Sequence, residues 1–185
     1  ATLEDAGGGH RIHLHKGRGM VRDAFRTRNM RSLQGKIGLA QVRYPTAGDA
    51  YSEAEAQPFY VSAPFGLVLV HNGNLTNADA LRDELFRTNH RHTNTSSDSE
   101  VLLGVLADEL EKCTRGINLM PQDVFTAVHG VHKRVRGSYA VIVLIAGHGL
   151  LAFRDPYGIR PLVLGQDTSK GSSAGATGSY MLASE

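Results

Sequence analysis

Residues 68–77 read VLVHNGNLTN: three bulky apolar residues suited to a buried, extended strand lead into a segment rich in hydrogen-bond donors. Asn72 carries a side-chain amide with two donor hydrogens, and Gly73, having no Cβ, lets backbone approach a ligand closely. Neighbouring donors of this kind suit an oxygen that carries or develops negative charge. The local pattern predicts a sharp turn over residues 71–74, and an ordinary Asn-Gly turn accounts for it without any chemistry. A second polar turn, residues 42–48 (VRYPTAG), closes another apolar strand and holds Arg43 and Thr46 in one loop. A guanidinium there could grip a carboxylate with two parallel hydrogen bonds. Asp98 lies in residues 97–100 (SDSE), where the S-x-x-E spacing predicts a capping box and a carboxylate favoured by the helix dipole.

The elements that must position these residues can be read in order. Residues 1–9 show no packing signal, and residues 11–15 alternate as a half-buried strand. His10, His13 and His15 lack any Cys or carboxylate motif to complete a metal site and read as a solvated face. A helix is predicted over 21–33, strands over 36–44 and 58–62, and a polar loop over 45–57. Asn77 is expected to cap a helix over 78–88, followed by helices over 101–113 and from Pro121, where Val124, Val128, Val131 and Val135 repeat. Residues 138–146 (SYAVIVLIA) form an apolar strand that returns antiparallel through Gly147-His148-Gly149 to a strand at 150–153. Short strands at 162–164 and 180–183 flank a Gly/Ser-rich stretch, residues 166–179. Strands that bracket helices, joined by tight turns, point to an α+β layered sandwich of one domain over 1–185.

Composition narrows the function. A formal charge of +2 in 185 residues is too small to argue for nucleic acid, and no apolar run approaches a membrane span. No G-x-G-x-x-G or Walker pattern opens a helix. The single cysteine, Cys113, excludes an internal disulfide framework and fits a reducing cytoplasm. It has no base near it in sequence and reads as a small core or surface residue and not as a nucleophile.

Residues 42–48 (VRYPTAG), 55–78 (EAQPFYV leading to HNGNLTNA), 95–100 (TSSDSE) and 153–165 (FRDPYGIRPLVLG) together resemble the class II glutaminase domain of the amidophosphoribosyltransferase family, over nearly the whole chain. The resemblance implies a four-layer αββα sandwich of the N-terminal-nucleophile hydrolase type. It implies glutamine as substrate, with ammonia passed to phosphoribosyl pyrophosphate at the first step of purine synthesis. By the same resemblance Asn72 and Gly73 form the oxyanion hole, Arg43 clamps the substrate carboxylate with Thr46 in the same loop, and Asp98 accepts its ammonium. Tyr44 and His71 flank these positions and either orient them or pack. Arg154, Asp155 and Arg160 are expected to form a supporting ion-pair network away from substrate. Other class II amidotransferases, of the asparagine synthetase or glutamate synthase type, share versions of two blocks, and a non-catalytic scaffold of the same fold is the remaining alternative.

The family starts with a cysteine nucleophile, whereas residue 1 here is Ala and no Cys-Gly pair occurs. The resemblance therefore predicts an N-terminally truncated glutaminase domain that lacks its first strands, lacks the phosphoribosyltransferase domain and is inactive alone. It predicts no cofactor or metal within the chain, with Mg2+ reserved for the transferase domain, and a homo-oligomer when that domain is present.

Overall fold

The computed structural model describes residues 1–43, 53–114, 116, 118–167 and 178–185. In order they form β1 (Thr2–Asp5), β2 (His10–His13), α1 (Val21–Ala24), α2 (Thr27–Ser32), β3 (Ile37–Gly38), β4 (Phe59–Val61), β5 (Leu67–Leu75), α3 (Ala78–Asn89), α4 (Asp98–Cys113), α5 (Pro121–Arg134), β6 (Gly137–Ile145), β7 (Gly149–Arg154), β8 (Val163–Gln166) and β9 (Tyr180–Ala183).

Near-continuous apolar runs mark strands buried on both faces, and β5 and β6 are such strands. They pair antiparallel along their whole length, Leu67 opposite Ile145 through Leu75 opposite Gly137, at the centre of the sheet β4-β5-β6-β7. Because side chains alternate across a strand, Leu67, Leu69, Tyr139, Val141 and Val143 face a core shared with α3, α4 and α5. Val68, Val70 and Leu144 face the opposite way, against Leu3 of β1 and Leu39 just after β3. Those residues belong to or follow the antiparallel sheet β2-β1-β3. The layers are thus helices, sheet, sheet. The described helices outside the helical layer, α1 and α2, bury no residue. α4 is the buried centre of its layer: Leu102, Leu106 and Leu110 are fully enclosed, each such burial stabilising by about 1.5–3 kcal/mol.

Several sequence expectations are corrected. Residues 71–74 do not turn; they continue β5, because nine residues of β6 offer a complete partner ladder. The predicted helix over 21–33 breaks between α1 and α2. Phe25 packs edge-on against the His15 ring at 4.9 Å, and the extended Arg26 starts α2 with its N–H donating to the Asn29 side chain at 3.2 Å. Residues 1–9, read as featureless, contain β1, whose Leu3 pairs with both Ile12 and Ile37. Among the described residues of the predicted strand over 36–44, pairing occurs only at Ile37–Gly38. Asn77 makes no cap. Its side chain donates to the Arg134 carbonyl and accepts from the Arg136 N–H, both at 2.9 Å, fastening α3 to the α5–β6 link. Ser97 caps α4 by accepting from Ser99, but the reciprocal half of the capping box is absent: Glu100 accepts instead from the Asn94 and Thr95 backbones.

Candidate functional site

The face of β5 and β6 turned from the helices floors a cavity of about 590 Å³, to which Val70, Asn72, Asn74, Ala140 and Ile142 contribute. Residues 40–43 after β3 and residues 182–185 at the end of β9 wall it. The start of α4 and Arg160 complete it. Arg43, Asn72, Gly73 and Asp98, separated by up to dozens of residues in sequence, all line this one space. Thr46 and Tyr44 lie outside the described residues.

The edge of β5 explains why Gly73 matters. In an antiparallel ladder, successive residues direct their N–H and C=O groups to alternate sides. Phe59 to Val61 of β4 pair with Leu67 to Leu69, after which the ladder ends. Beyond it the His71 N–H donates to the Gln57 side-chain oxygen at 2.6 Å, and the Gln57 amide donates back to the His71 carbonyl at 2.9 Å. Four positions further along, the Leu75 N–H donates to Asp98 Oδ2 at 2.9 Å. Gly73, midway between them, faces the same edge. Its partner across β6, Tyr139, spends its own backbone groups on Asp155, which donates to the Tyr139 carbonyl at 2.7 Å. The Gly73 N–H is therefore presented at the cavity edge with its neighbours' donors already satisfied. No side chain fits here: φ is +151°, and a Cβ would meet the Ser138 carbonyl oxygen and come within 2.8 Å of His71 Nε2 and of Tyr139 Cα.

Asn72, on the floor, donates from its side chain to the Ser184 hydroxyl at 3.1 Å and to the Glu185 carboxylate at 3.0 Å, so its amide already acts as a donor to oxygen. Arg43 donates to the buried Glu55 carboxylate at 3.1 Å, and Glu55 also accepts from the Ser96 hydroxyl at 2.5 Å. Glu55 thereby fixes the Arg43 guanidinium against the loop that precedes α4.

His71 lies beneath the floor, on the helix side of β5 and buried. Its Nδ1 is 3.0 Å from the Ser99 hydroxyl and 3.8 Å from Asp98 Oδ1. Burial lowers its pKa, with the Arg160 charge acting the same way. The Asp98 carboxylate and the nearby Ser138 carbonyl work against that shift without reversing it. Nε2 makes no hydrogen bond of good geometry despite the nearness of Ser138. Through the Ser99 hydroxyl, His71 links the start of α4, where Asp98 sits, to the Asn72–Gly73 strand, so the orienting alternative for His71 fits the geometry. Gln57, which sequence reasoning passed over, bridges the same group by donating to Ser99 at 3.2 Å.

The expected ion-pair network of residues 154–160 is not present among the described residues. Asp155 is buried and accepts instead from the backbone N–H groups of Tyr139, Tyr157, Ile159 and Arg160, at 2.9–3.3 Å. Burial alone would raise its pKa; these four donors hold it below the usual carboxylate range. Arg160, predicted to stand away from substrate, lines the cavity. Cys113 ends α4, outside the cavity lining, and burial raises its thiol pKa. Among the described residues no cluster of three metal-ligating side chains occurs, and no helix is long and apolar enough to cross a membrane.

Stacked antiparallel sheets with a helical layer, and a polar cavity at the edge of the sheet they share, define an α+β sandwich of the N-terminal-nucleophile hydrolase class. Solved structures agree on the fold. The chain superposes on glutamine phosphoribosylpyrophosphate amidotransferase from B. subtilis, complexed with ADP and GMP, with a TM-score of 0.65 and 24% identity, covering 91% of this chain and 33% of that one. A structure described as the allosteric regulatory enzyme of purine biosynthesis gives 0.61 and 28%, covering 81% and 30%. Residues 46–183 match the glutamine amidotransferase domain family, and the chain belongs to it. Among curated relatives, the amidophosphoribosyltransferases of Haemophilus influenzae, Escherichia coli and Saccharomyces cerevisiae are 52%, 50% and 46% identical. They are matched over 100%, 94% and 100% of this chain. The chain spans about a third of the length of these relatives, 34%, 33% and 35%.

Proposed function

We propose that this chain is the glutamine-binding part of a glutaminase whose ammonia is delivered to phosphoribosyl pyrophosphate, the reaction its relatives' name describes. The observation that carries the reading is the convergence of Arg43, Asn72, Gly73 and Asp98 on one cavity, with the Gly73 N–H presented at its edge. A free amino acid ending in a carboxamide has a carboxylate, an ammonium and an amide oxygen, and the cavity offers a complement to each.

In this reading the Arg43 guanidinium, held by Glu55, takes the α-carboxylate, and Asp98 takes the α-ammonium. A thiolate attacks the amide carbon, the C=O electron pair moves to oxygen, and Asn72 and Gly73 stabilise that oxyanion. Collapse of the intermediate expels ammonia after protonation of its nitrogen, and water then releases glutamate from the thioester. Cys113 is not assigned the attacking role, since it lies outside the cavity lining. The thiolate is assigned to a cysteine outside these 185 residues. Thr46 keeps its assignment beside Arg43. No cofactor is assigned to this half of the reaction, and Mg2+ belongs to the transferase half. Partners in the reading are glutamine, a phosphoribosyltransferase domain and further copies of the protein; the single cysteine and modest charge favour the cytoplasm.

The test is glutamate release from glutamine by the protein as encoded in its gene, with and without phosphoribosyl pyrophosphate. Stimulated release supports the reading; binding of glutamine without any hydrolysis favours the scaffold alternative, and release coupled to aspartate or 2-oxoglutarate favours the other amidotransferases.

A further inference from the structure

Among the described residues two arginines line the cavity, and their surroundings differ. Arg43 is neutralised by Glu55 at 3.1 Å. Arg160 forms no ion pair among the described residues, although it is only partly exposed. A partly buried guanidinium loses solvation that an anion must restore, so an unpaired arginine facing a cavity marks where a ligand brings or develops negative charge.

The backbone locates that charge. Arg160 is tethered by its N–H to Asp155 Oδ2 at 3.0 Å, and Asp155 is bonded to Tyr139 in both directions. Tyr139 is the register partner of Gly73. The loop that carries Arg160 therefore leaves the sheet one strand across from Gly73, on the β7 side of Tyr139, fixed by a carboxylate that four backbone donors immobilise, and Arg160 lines the cavity that Gly73 also lines. The influence of Arg160 on His71, the residue preceding Asn72, agrees with that placement. Donors fixed before the reaction contribute most, because they need no reorganisation when charge appears.

We propose that Arg160 supplies a third, charged contact to the amide oxygen of glutamine, beside Asn72 and Gly73, and to the γ-carboxylate of the glutamate product. The inference rests on the glutaminase reading and adds a residue to it. It assigns Arg160 to the reacting end of the substrate and leaves the amino-acid end to Arg43 and Asp98.

The experiment uses the encoded protein and follows glutamine hydrolysis and its inhibition by L-glutamate, for wild type, Arg160→Gln and Arg160→Lys. Losing one charged hydrogen bond to the oxyanion lowers kcat by on the order of tenfold or more and weakens glutamate by a similar factor, while KM for glutamine stays within about twofold. Arg160→Lys keeps the charge and recovers part of both losses. Unchanged kcat and glutamate inhibition in Arg160→Gln overturn the proposal, as does a rise in KM with kcat retained, which moves Arg160 to the amino-acid end. If Arg160→Gln does not fold, Arg160→Lys decides alone: weaker glutamate inhibition with a lowered kcat supports the contact, and wild-type values refute it. An inactive wild type overturns the glutaminase reading itself, which separates that failure from this one.

Discussion

Replacing Gly73 by Ala probes the corner at its narrowest point. Two separate costs arise there. A φ of +151° lies in a region that residues with a Cβ seldom occupy, at about 1–3 kcal/mol. The added methyl also meets the Ser138 carbonyl oxygen and lies 2.8 Å from both His71 Nε2 and Tyr139 Cα. Two of these three atoms are backbone of the central β6 and cannot rotate away, so overpacking adds about 1–3 kcal/mol. The sum is about 2–6 kcal/mol. Gly149 is the internal control: its φ is +116°, but no atom lies within 4 Å of a Cβ built there. Gly149→Ala therefore carries only the conformational cost. Urea unfolding of the two variants beside wild type should show Gly73→Ala the less stable of the pair by about 1–3 kcal/mol, with m-values alike. Equal stabilities would refute the close approach of β5 to β6 at this corner.

Other expectations follow from the same geometry. In the encoded protein, Asn72→Ala should lower kcat by roughly 100- to 1,000-fold, because it removes a donor whose value appears in the transition state. Arg43→Lys should instead raise KM for glutamine with kcat nearly kept, since an ammonium cannot reproduce the planar fork; steady-state kinetics separates the two. Asp155→Asn leaves four backbone N–H groups facing a neutral, half-donor side chain, and thermal denaturation should register a loss of about 1.5–3 kcal/mol. Stability should also depend on acidity in a definite sense. Buried His71 and half-buried His132 have pKa values below the ordinary histidine value, so the unfolded chain binds more protons as pH falls below about 6.5. Stability is then full above that pH and declines beneath it, by at most about 1.4 kcal/mol per pH unit for each histidine. The lowered Asp155 pKa adds a further loss only below the usual carboxylate range. Denaturation midpoints at pH 7.5, 6 and 5 check the order, and His71→Gln should flatten it.

Much of this arrangement could be read from residue types. The strands at β5 and β6 announce themselves as apolar runs, α4 as leucines four apart, and the β6–β7 hairpin as Gly-His-Gly. The motifs that suggested a glutamine site also named side chains that share a cavity. What the sequence concealed depends on partners remote along the chain. Asn-Gly at 72–73 has the local signature of a turn, yet a nine-residue partner 65 or more positions later keeps it extended. Asn77 has the type of a cap but satisfies the α5–β6 link. Gln57 and Asp155 carry no motif that distinguishes a site-supporting amide or carboxylate from a surface one. Only the end of the β4 ladder and the four converging N–H groups reveal them. Arg160 sits in a Pro- and Gly-rich stretch whose obvious purpose is to shape a loop, and its view of the cavity follows from the Asp155 tether.

The central claim is that four groups distant in sequence form a receptor for glutamine. Isothermal titration of the encoded protein with L-glutamine, compared with its Arg43→Ala and Asp98→Ala variants and with D-glutamine as the ligand control, tests it most directly. The account predicts saturable binding of the L-isomer, weakened at least tenfold by either substitution and by inversion at Cα. Equal affinities across the variants and both enantiomers would contradict it.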